Sequence, residues 1–375
     1  MIVFLDQPTD AISTTSFHIY GWVANNSAMP VRVTASGVEL EVATYPRPDF
    51  SKAIPEMWTA GFSAFVQLSQ FKATKQLDLA VSSGSARLTR QVAVPDQLYK
   101  TAMIEQASRT VRRRWILNNA LCCHCKTRLA GVSRCDRCGN EHQRGGVLDF
   151  LPGPHPELSF NGAVCSHGYD RDVDRIIAAA SERGGMVLDC GAGWRQSSRP
   201  TVVTTEIFAY PNTDAVAVGE HLPFEDGVFD AVLSLHVLEH VPNPFTCADE
   251  LLRVLKPGGV LFAVVPMIVP EHGYPHHYFN PTREGLMQLF GRNKETARVY
   301  IPTSGQPING LQLLLNSYSN DLPERLRARF DKLTIGEIRG RELSSWFSDE
   351  VVTGLPLAGQ VKIATNFAIE FKKDN

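Results

Sequence analysis

The sequence predicts a multidomain fold: an all-β N-terminal sandwich, a small metal-holding ribbon, and a larger α/β unit on a mostly parallel sheet. Three observations carry this. Short strand-like runs broken by turn residues fill positions 1–95. Two Cys-x-x-Cys pairs, Cys122 with Cys125 and Cys135 with Cys138, stand nine residues apart. From about residue 158, strand-like and helical runs alternate, the pattern of a parallel sheet with helices on both faces. The length of 375 residues suits two or three domains, and 43% apolar with 20% charged residues is ordinary for a soluble globular chain.

The net charge of −2 gives no overall attraction to nucleic acid or to a membrane surface. No apolar run approaches the ~20 residues of a spanning helix. Met1-Ile2-Val3-Phe4-Leu5-Asp6 lacks the basic start of a signal peptide, so a cytoplasmic location is expected. The cysteines agree: five of the eight fall between Cys122 and Cys138, a local cluster that reads as metal rather than as a disulfide scaffold.

Within residues 1–95, Phe17 to Ala24 is strand-like, and Val31 to Val42 alternates around a turn at Ser36-Gly37. Leu77 to Val81 and Ala86 to Val94 flank the hairpin signal Ser82-Ser83-Gly84-Ser85. No catalytic cluster stands here. The pieces Gly21-Trp22, Arg47-Pro48-Asp49 and Gly61-Phe62 resemble β-sandwich modules attached to glycan-acting enzymes. Tyr20 and Trp22 either stack on a sugar ring or fill the core, and the core reading is the expected one, since large aromatics are mostly buried.

Residues 96–120 read as a helical connector. Its run Arg112-Arg113-Arg114 beside Trp115 is either a solvated or acid-paired helix face or a phosphate contact. Next, the two Cys-x-x-Cys knuckles can aim four thiolates at one zinc, closing a structural site with no open position. Cys123 is then spare, and His124 and His142 are alternative ligands. Residues 121–151 resemble the zinc ribbons that precede the catalytic domain in many methyltransferases. Pro152-Gly153-Pro154 marks a boundary.

The α/β unit, residues 158–375, begins with a helix over Tyr169 to Arg183. Strands are expected at Met186 to Leu188, Thr201 to Ile207, Ala215 to Val218, Ala231 to Leu235 and Val260 to Val265, with a helix from Pro244 to Leu255. The turn Gly191-Ala192-Gly193 after the first strand suits a nucleoside-bearing cofactor across the strand ends. Gln196 stands where a dinucleotide fingerprint has its third glycine, and Asp189 would oppose a pyrophosphate. A cofactor with an amino group and a sulfonium tolerates that carboxylate. Glu206, at the end of the next strand, can accept from both ribose hydroxyls.

The series Val187-Leu188-Asp189-x-Gly191-x-Gly193, Glu206, Leu222-Pro223-Phe224-Glu225-Asp226-Gly227-Val228-Phe229-Asp230, Val237-Leu238-Glu239-His240-Val241 and Leu255-Lys256-Pro257-Gly258-Gly259 resembles the class I S-adenosylmethionine-dependent methyltransferases, whose fold is Rossmann-like. The resemblance covers about Gly185 to Gly291. It implies that Gly191, Ala192 and Gly193 border the methionine part, that Asp189 lies near its amino group, and that Glu206 holds the ribose, with Leu235 completing the pocket. The family's adenine-binding Asp is Val218 here, so that contact passes to Glu220 or to the backbone of Gly219 and Glu220.

Methyl transfer to an alcohol needs a base and exclusion of water. Candidates are His236, Glu239 and His240 after the fourth strand, and His276 in the loop from Pro270 to Thr282. The histidines and tyrosines of the expected acceptor side also suit a second metal. Residues 303–357 read as a helical insertion able to cover the acceptor, and Val361 to Phe371 as a final antiparallel strand. The expected function is O-methylation of a saccharide or saccharide-lipid. The alternatives are RNA methylation, resting on the ribbon and Arg112 to Arg114, or a partner protein that keeps the fold without turnover, raised by Val218.

Overall fold

The computed structural model describes residues 2–8, 11–12, 14–46, 51, 54–144, 147–151, 153, 168–195, 198–210, 212–273, 276–291 and 297–365. Arg47-Pro48-Asp49, Gly145-Gly146, Pro152, Pro154, Gln196, Tyr274, Pro275 and Asn366 to Phe371 lie outside them.

Strands β1 (Ile2–Gln7), β2 (Ser16–Asn25), β3 (Val31–Ala35), β4 (Val38–Leu40), β5 (Val42–Pro46), β6 (Trp58–Gln67), β7 (Gln76–Ser83) and β8 (Ala86–Ala93) make two antiparallel sheets, ordered β1-β2-β6-β5 and β4-β3-β7-β8. Period-2 alternation turns Phe17, Ile19 and Val23 inward against Phe62, Val66, Leu77, Leu79 and Val81 of both sheets, so the two pack as a sandwich. The same alternation puts His18, Tyr20 and Trp22 on the other face. Tyr20 is 41% exposed, and Trp22 stacks on the exposed Phe4 at 5.8 Å. The expected core placement of Tyr20 and Trp22 is therefore corrected: strand register, not ring size, decides the face.

Helix α1 (Asp96–Asn119) joins two cores. Tyr99 and Ala102 pack into the sandwich, while Ile116 packs into the α/β core with Trp115 on Phe229 at 5.0 Å. Arg112 is 2% exposed and grips Asp214 through Nε at 2.7 Å and a second nitrogen at 3.1 Å. Of the expected readings, acid pairing holds for Arg112, a buried tie between helix and sheet that is neither solvated nor a phosphate contact.

Beyond it come β9 (Gln143–Arg144), β10 (Val147–Asp149), α2 (Arg171–Ser181), β11 (Val187–Cys190), β12 (Val202–Glu206), β13 (Ala215–Val216), β14 (Phe229–Leu235), α3 (Pro244–Val254) and β15 (Leu255–Val264). Among the described residues the sheet order is β15-β14-β11-β12-β13-β10-β9, parallel except at the β9–β10 pair. The central strands β11 and β12 are buried nearly throughout, which explains their unbroken apolar runs. The cysteine segment ends inside this sheet: β10 pairs with β13, and Cys122, Leu129, Cys135 and Leu148 share one core with Val203 and Ala215.

Helices α4 (Arg283–Leu289), α5 (Pro307–Asp321), α6 (Glu324–Phe330), α7 (Ile335–Gly340), α8 (Glu350–Thr353) and α9 (Leu357–Ile363) follow. The expected strand from Val361 is corrected, since Val361 to Ile363 belong to α9. Pro356 caps the start of that helix, and Lys362 Nζ ties it to Asp321 on α5 at 2.8 Å. Alternating residues there are overridden by packing against α5. No helix among the described residues is long and apolar enough to cross a membrane.

Candidate functional site

Strand β11 lies where the sheet order reverses, with β12 on one side and β14 on the other, and its carboxyl end opens the crevice where ligands bind in such sheets. Asp189 stands there, fully buried. Its Oδ2 accepts from the Tyr169 hydroxyl at 2.8 Å and from Arg195 Nε at 3.0 Å, while Oδ1 is buried with no hydrogen-bond partner among the described residues. The Arg195 guanidinium lies 4.8 Å from the centre of the Tyr169 ring. Burial and the Asp189 charge push the Tyr169 hydroxyl well above the usual phenol range.

The glycine turn is built for close approach. Gly191 sits at φ +69°, and a Cβ there would meet Val237 Cγ2 at 2.5 Å. The Gly191 and Ala192 amides both donate to the Thr205 carbonyl at 3.0 Å, and the Gly193 amide donates to Glu206 Oε2 at 2.8 Å. The other Glu206 oxygen accepts from the Ile207 amide at 2.7 Å. Burial raises the Glu206 carboxyl above its ordinary value. The turn and the end of β12 are thus one unit. Trp194, next in the chain, packs on His18 at 4.8 Å and on Phe65 at 6.1 Å, seating the sandwich against this turn.

Gly219–His221 forms one 3₁₀ turn, with Val218 before it. Gly219 packs under Cys247, whose Sγ would lie 2.6 Å from an added Cβ. Glu220 is half-buried on this turn. The turn therefore offers backbone and the Glu220 carboxylate, but no side-chain acceptor at position 218.

At the end of β14, Leu235 is half-buried and His236 is held at φ +60°, a costly conformation for a residue other than glycine. Glu239 is 0% exposed, and neither carboxyl oxygen has a hydrogen-bond partner among the described residues. His236 Nδ1 and His240 Nε2 stand 3.8 and 3.9 Å from Glu239 Oε1. Burial pushes the Glu239 carboxyl up to about 8 and pulls His240 down to about 4. His240 Nδ1 donates to the His276 carbonyl at 2.6 Å, and the Tyr278 amide donates to the Glu239 carbonyl at 2.7 Å, so the loop after β15 is clamped over Glu239. The His272 and His277 rings lie 4.9 and 5.5 Å from the His240 ring.

The structure thus brings together His236, Glu239 and His240 of the expected catalytic residues. It leaves the His276 ring exposed, 5.6 Å from Tyr278, with only its carbonyl in the cluster. Tyr169 and Arg195 carry no functional expectation from sequence, and His272 enters there only as one of the loop's histidines. Arg195, two residues past Gly193, was the most accessible signal; Tyr169 and His272 carried none beyond residue type.

In the cysteine segment, Cys122 and Cys138 lie 3.5 Å apart at sulfur, as do Cys125 and Cys135, and all four sulfurs fall within 4.8 Å of one another. The knuckles close through the Lys126 amide on the Cys122 carbonyl and the Gly139 amide on the Cys135 carbonyl. Lys126 and Gly139 both take positive φ. With zinc–sulfur bonds of about 2.3 Å, tetrahedral sulfurs stand about 3.8 Å apart, so the set is compatible with a zinc ribbon. Cys123 and His142 face each other at 3.9 Å instead, and His124 is exposed.

Residues 198–263 match a family model described as a methyltransferase domain. An uncharacterized methyltransferase of Mycobacterium tuberculosis strain H37Rv is 35% identical over 107 residues, 28% of this chain and 36% of that protein. One from Mycobacterium sp. strain KMS is 52% identical over 44 residues, 12% of this chain and 18% of that protein. The 2-methyl-6-phytyl-1,4-hydroquinone methyltransferase of Synechocystis sp. is 32% identical over 146 residues, 31% of this chain and 46% of that protein. The chain thus spans less than half the length of these relatives. Among solved structures, a SAM-dependent methyltransferase of Thermotoga maritima aligns with 32% of this chain and 69% of that one, at 19% identity and a TM-score of 0.25.

Proposed function

We propose, from the premise that the chain carries a class I methyltransferase domain, that it transfers a methyl group from S-adenosylmethionine to an oxygen of a saccharide or saccharide-lipid acceptor. The observation that carries the cofactor reading is the Asp189 centre, where a buried unpartnered carboxylate oxygen stands beside the Arg195 cation. That donor set fits the zwitterionic end of an amino acid: Asp189 Oδ1 would accept from the ammonium and Arg195 would face the carboxylate. Gly191 and Gly193 would let the backbone close on the same end. Glu206, already oriented by two amides, would accept from the ribose hydroxyls. Glu220 and the Gly219 backbone would border the base.

Bound S-adenosylmethionine supplies an electrophilic methyl on its sulfonium. The chain's own part is to hold an acceptor in line with it, exclude water and take a proton. His236, half-exposed at the end of β14 with its Nδ1 3.8 Å from Glu239 Oε1, is the proposed base for the acceptor hydroxyl. The saccharide reading is supported by the exposed aromatics Phe4, Tyr20 and Tyr45 around Trp22, since such rings suit stacking on sugar faces. Burial of Arg112 removes one support for the RNA reading. The four-cysteine centre is proposed to hold one structural zinc.

Calorimetry with S-adenosylmethionine tests the reading first. Binding in the wild type that weakens at least tenfold in Asp189→Asn is expected; no binding at millimolar cofactor would sink it. Transfer of labelled methyl to glycan, RNA and small-molecule extracts then separates the acceptors.

A further inference from the structure

We propose that Glu239, His240 and His272 form a site for one divalent transition-metal ion, distinct from the four-cysteine centre. Their ligand atoms lie within 4.8 Å of one another. The inference goes beyond the methyltransferase reading and does not depend on it, because metal binding is measured without cofactor or acceptor.

The carboxylate needs a cation most. Glu239 is fully buried with both oxygens unpartnered among the described residues, and no Lys or Arg makes an ion pair with it there. Buried polar groups are nearly always satisfied, and one left open in a cluster of ligands marks a place for an ion. The histidines supply the second argument. His240 donates its Nδ1 hydrogen to the His276 carbonyl at 2.6 Å, and His272 donates its Nδ1 hydrogen to the Pro270 carbonyl at 3.0 Å. Each ring is thereby fixed in the tautomer whose Nε2 carries a free lone pair, the arrangement that metal-ligating histidines use. For His240 that nitrogen stands 3.9 Å from Glu239 Oε1. Bonds of about 2.1 Å to a common ion bring such atoms to about 3.4 Å, a closure well under an ångström.

His277 is excluded as a ligand although its ring is close. Its Nε2 donates to Asn280 Oδ1 at 2.7 Å and its Nδ1 accepts from the His272 amide at 3.2 Å, so both nitrogens are used and it buttresses His272. Two imidazoles and a carboxylate suit zinc, manganese(II), iron(II) or nickel rather than calcium or magnesium. Three protein ligands leave a position open, and His272 lies in an exposed loop, so a solvent or acceptor oxygen can reach the ion.

The test is a metal count on the full chain, dialysed against zinc and then against metal-free buffer, with zinc per chain read by plasma mass spectrometry. Two zinc ions are expected in the wild type, one in Glu239→Gln, one in His272→Ala, and two in His276→Ala, whose ring stands outside the cluster. Cys135→Ser should lose the other ion and keep this one. His272 is exposed, so its variant keeps the fold, checked by circular dichroism. A wild-type zinc count that falls in Cys135→Ser but not in Glu239→Gln or His272→Ala overturns the proposal. Failure of the cofactor reading would leave these counts unchanged.

Discussion

Replacing Arg112 by Met tests the tie between α1 and the sheet. Asp214 is fully buried and accepts from two Arg112 nitrogens at 2.7 and 3.1 Å and from Thr204 N and Oγ1 at 3.1 and 3.3 Å. The methionine would fill the space but leave the carboxylate without its main cation. Removing one partner of a buried pair costs about 3–5 kcal/mol. Arg109 Nε remains 3.8 Å from Asp214, so the lower end, about 3 kcal/mol, is expected. That is roughly a 150-fold fall in the folding equilibrium. Urea unfolding followed by tryptophan fluorescence reads it, and Asp214→Asn with the double variant should show a coupling of about 2 kcal/mol. A loss below about 1 kcal/mol, or additive single effects, would refute the reasoning. A drop in RNA affinity at unchanged stability would restore the phosphate reading for Arg112.

Gly191→Ala should cost about 1–2 kcal/mol from positive φ alone and weaken S-adenosylmethionine binding about tenfold or more by calorimetry; adding Val237→Ala should relieve the clash but not the backbone strain. His18, packed on Trp194, has its pKa lowered from 6.5 by burial. Its neutral form therefore favours the fold, a contribution present above pH 6.5 and lost as pH falls through the lowered value. Urea midpoints should thus fall more on acidification below 6.5 in the wild type than in His18→Gln, and equal slopes would contradict this. Cys135→Ser should lower the melting temperature and lose the part of the chelator response that the cysteine centre gives, so chelation should destabilise it less than the wild type.

Much of the site was legible because its signals are local. The Asp189 to Gly193 turn needs only a strand and two glycines one residue apart, and the zinc knuckles need only short spacings that one tight turn can satisfy. The parallel sense of β11, β12 and β14 followed from strand-like and helical runs in alternation, whereas their order in the sheet did not. What was not legible depends on partners far along the chain. Arg112 finds Asp214 across 102 positions, and Tyr169 finds Asp189 across 20. Residues 361–363 alternate like a strand yet lie in α9, because Asp321 and Pro356 act on them from outside. One loop offers His272, His276 and His277 alike, and only the carbonyl contacts of the folded loop decide which ring nitrogen is free. By itself the sequence determined the sheet, the glycine turn and the cysteine centre, whose information lies within a few residues. The tertiary structure alone decided which charges are paired, which carboxylates stay open and which aromatics face solvent, because burial and register belong to the assembled chain.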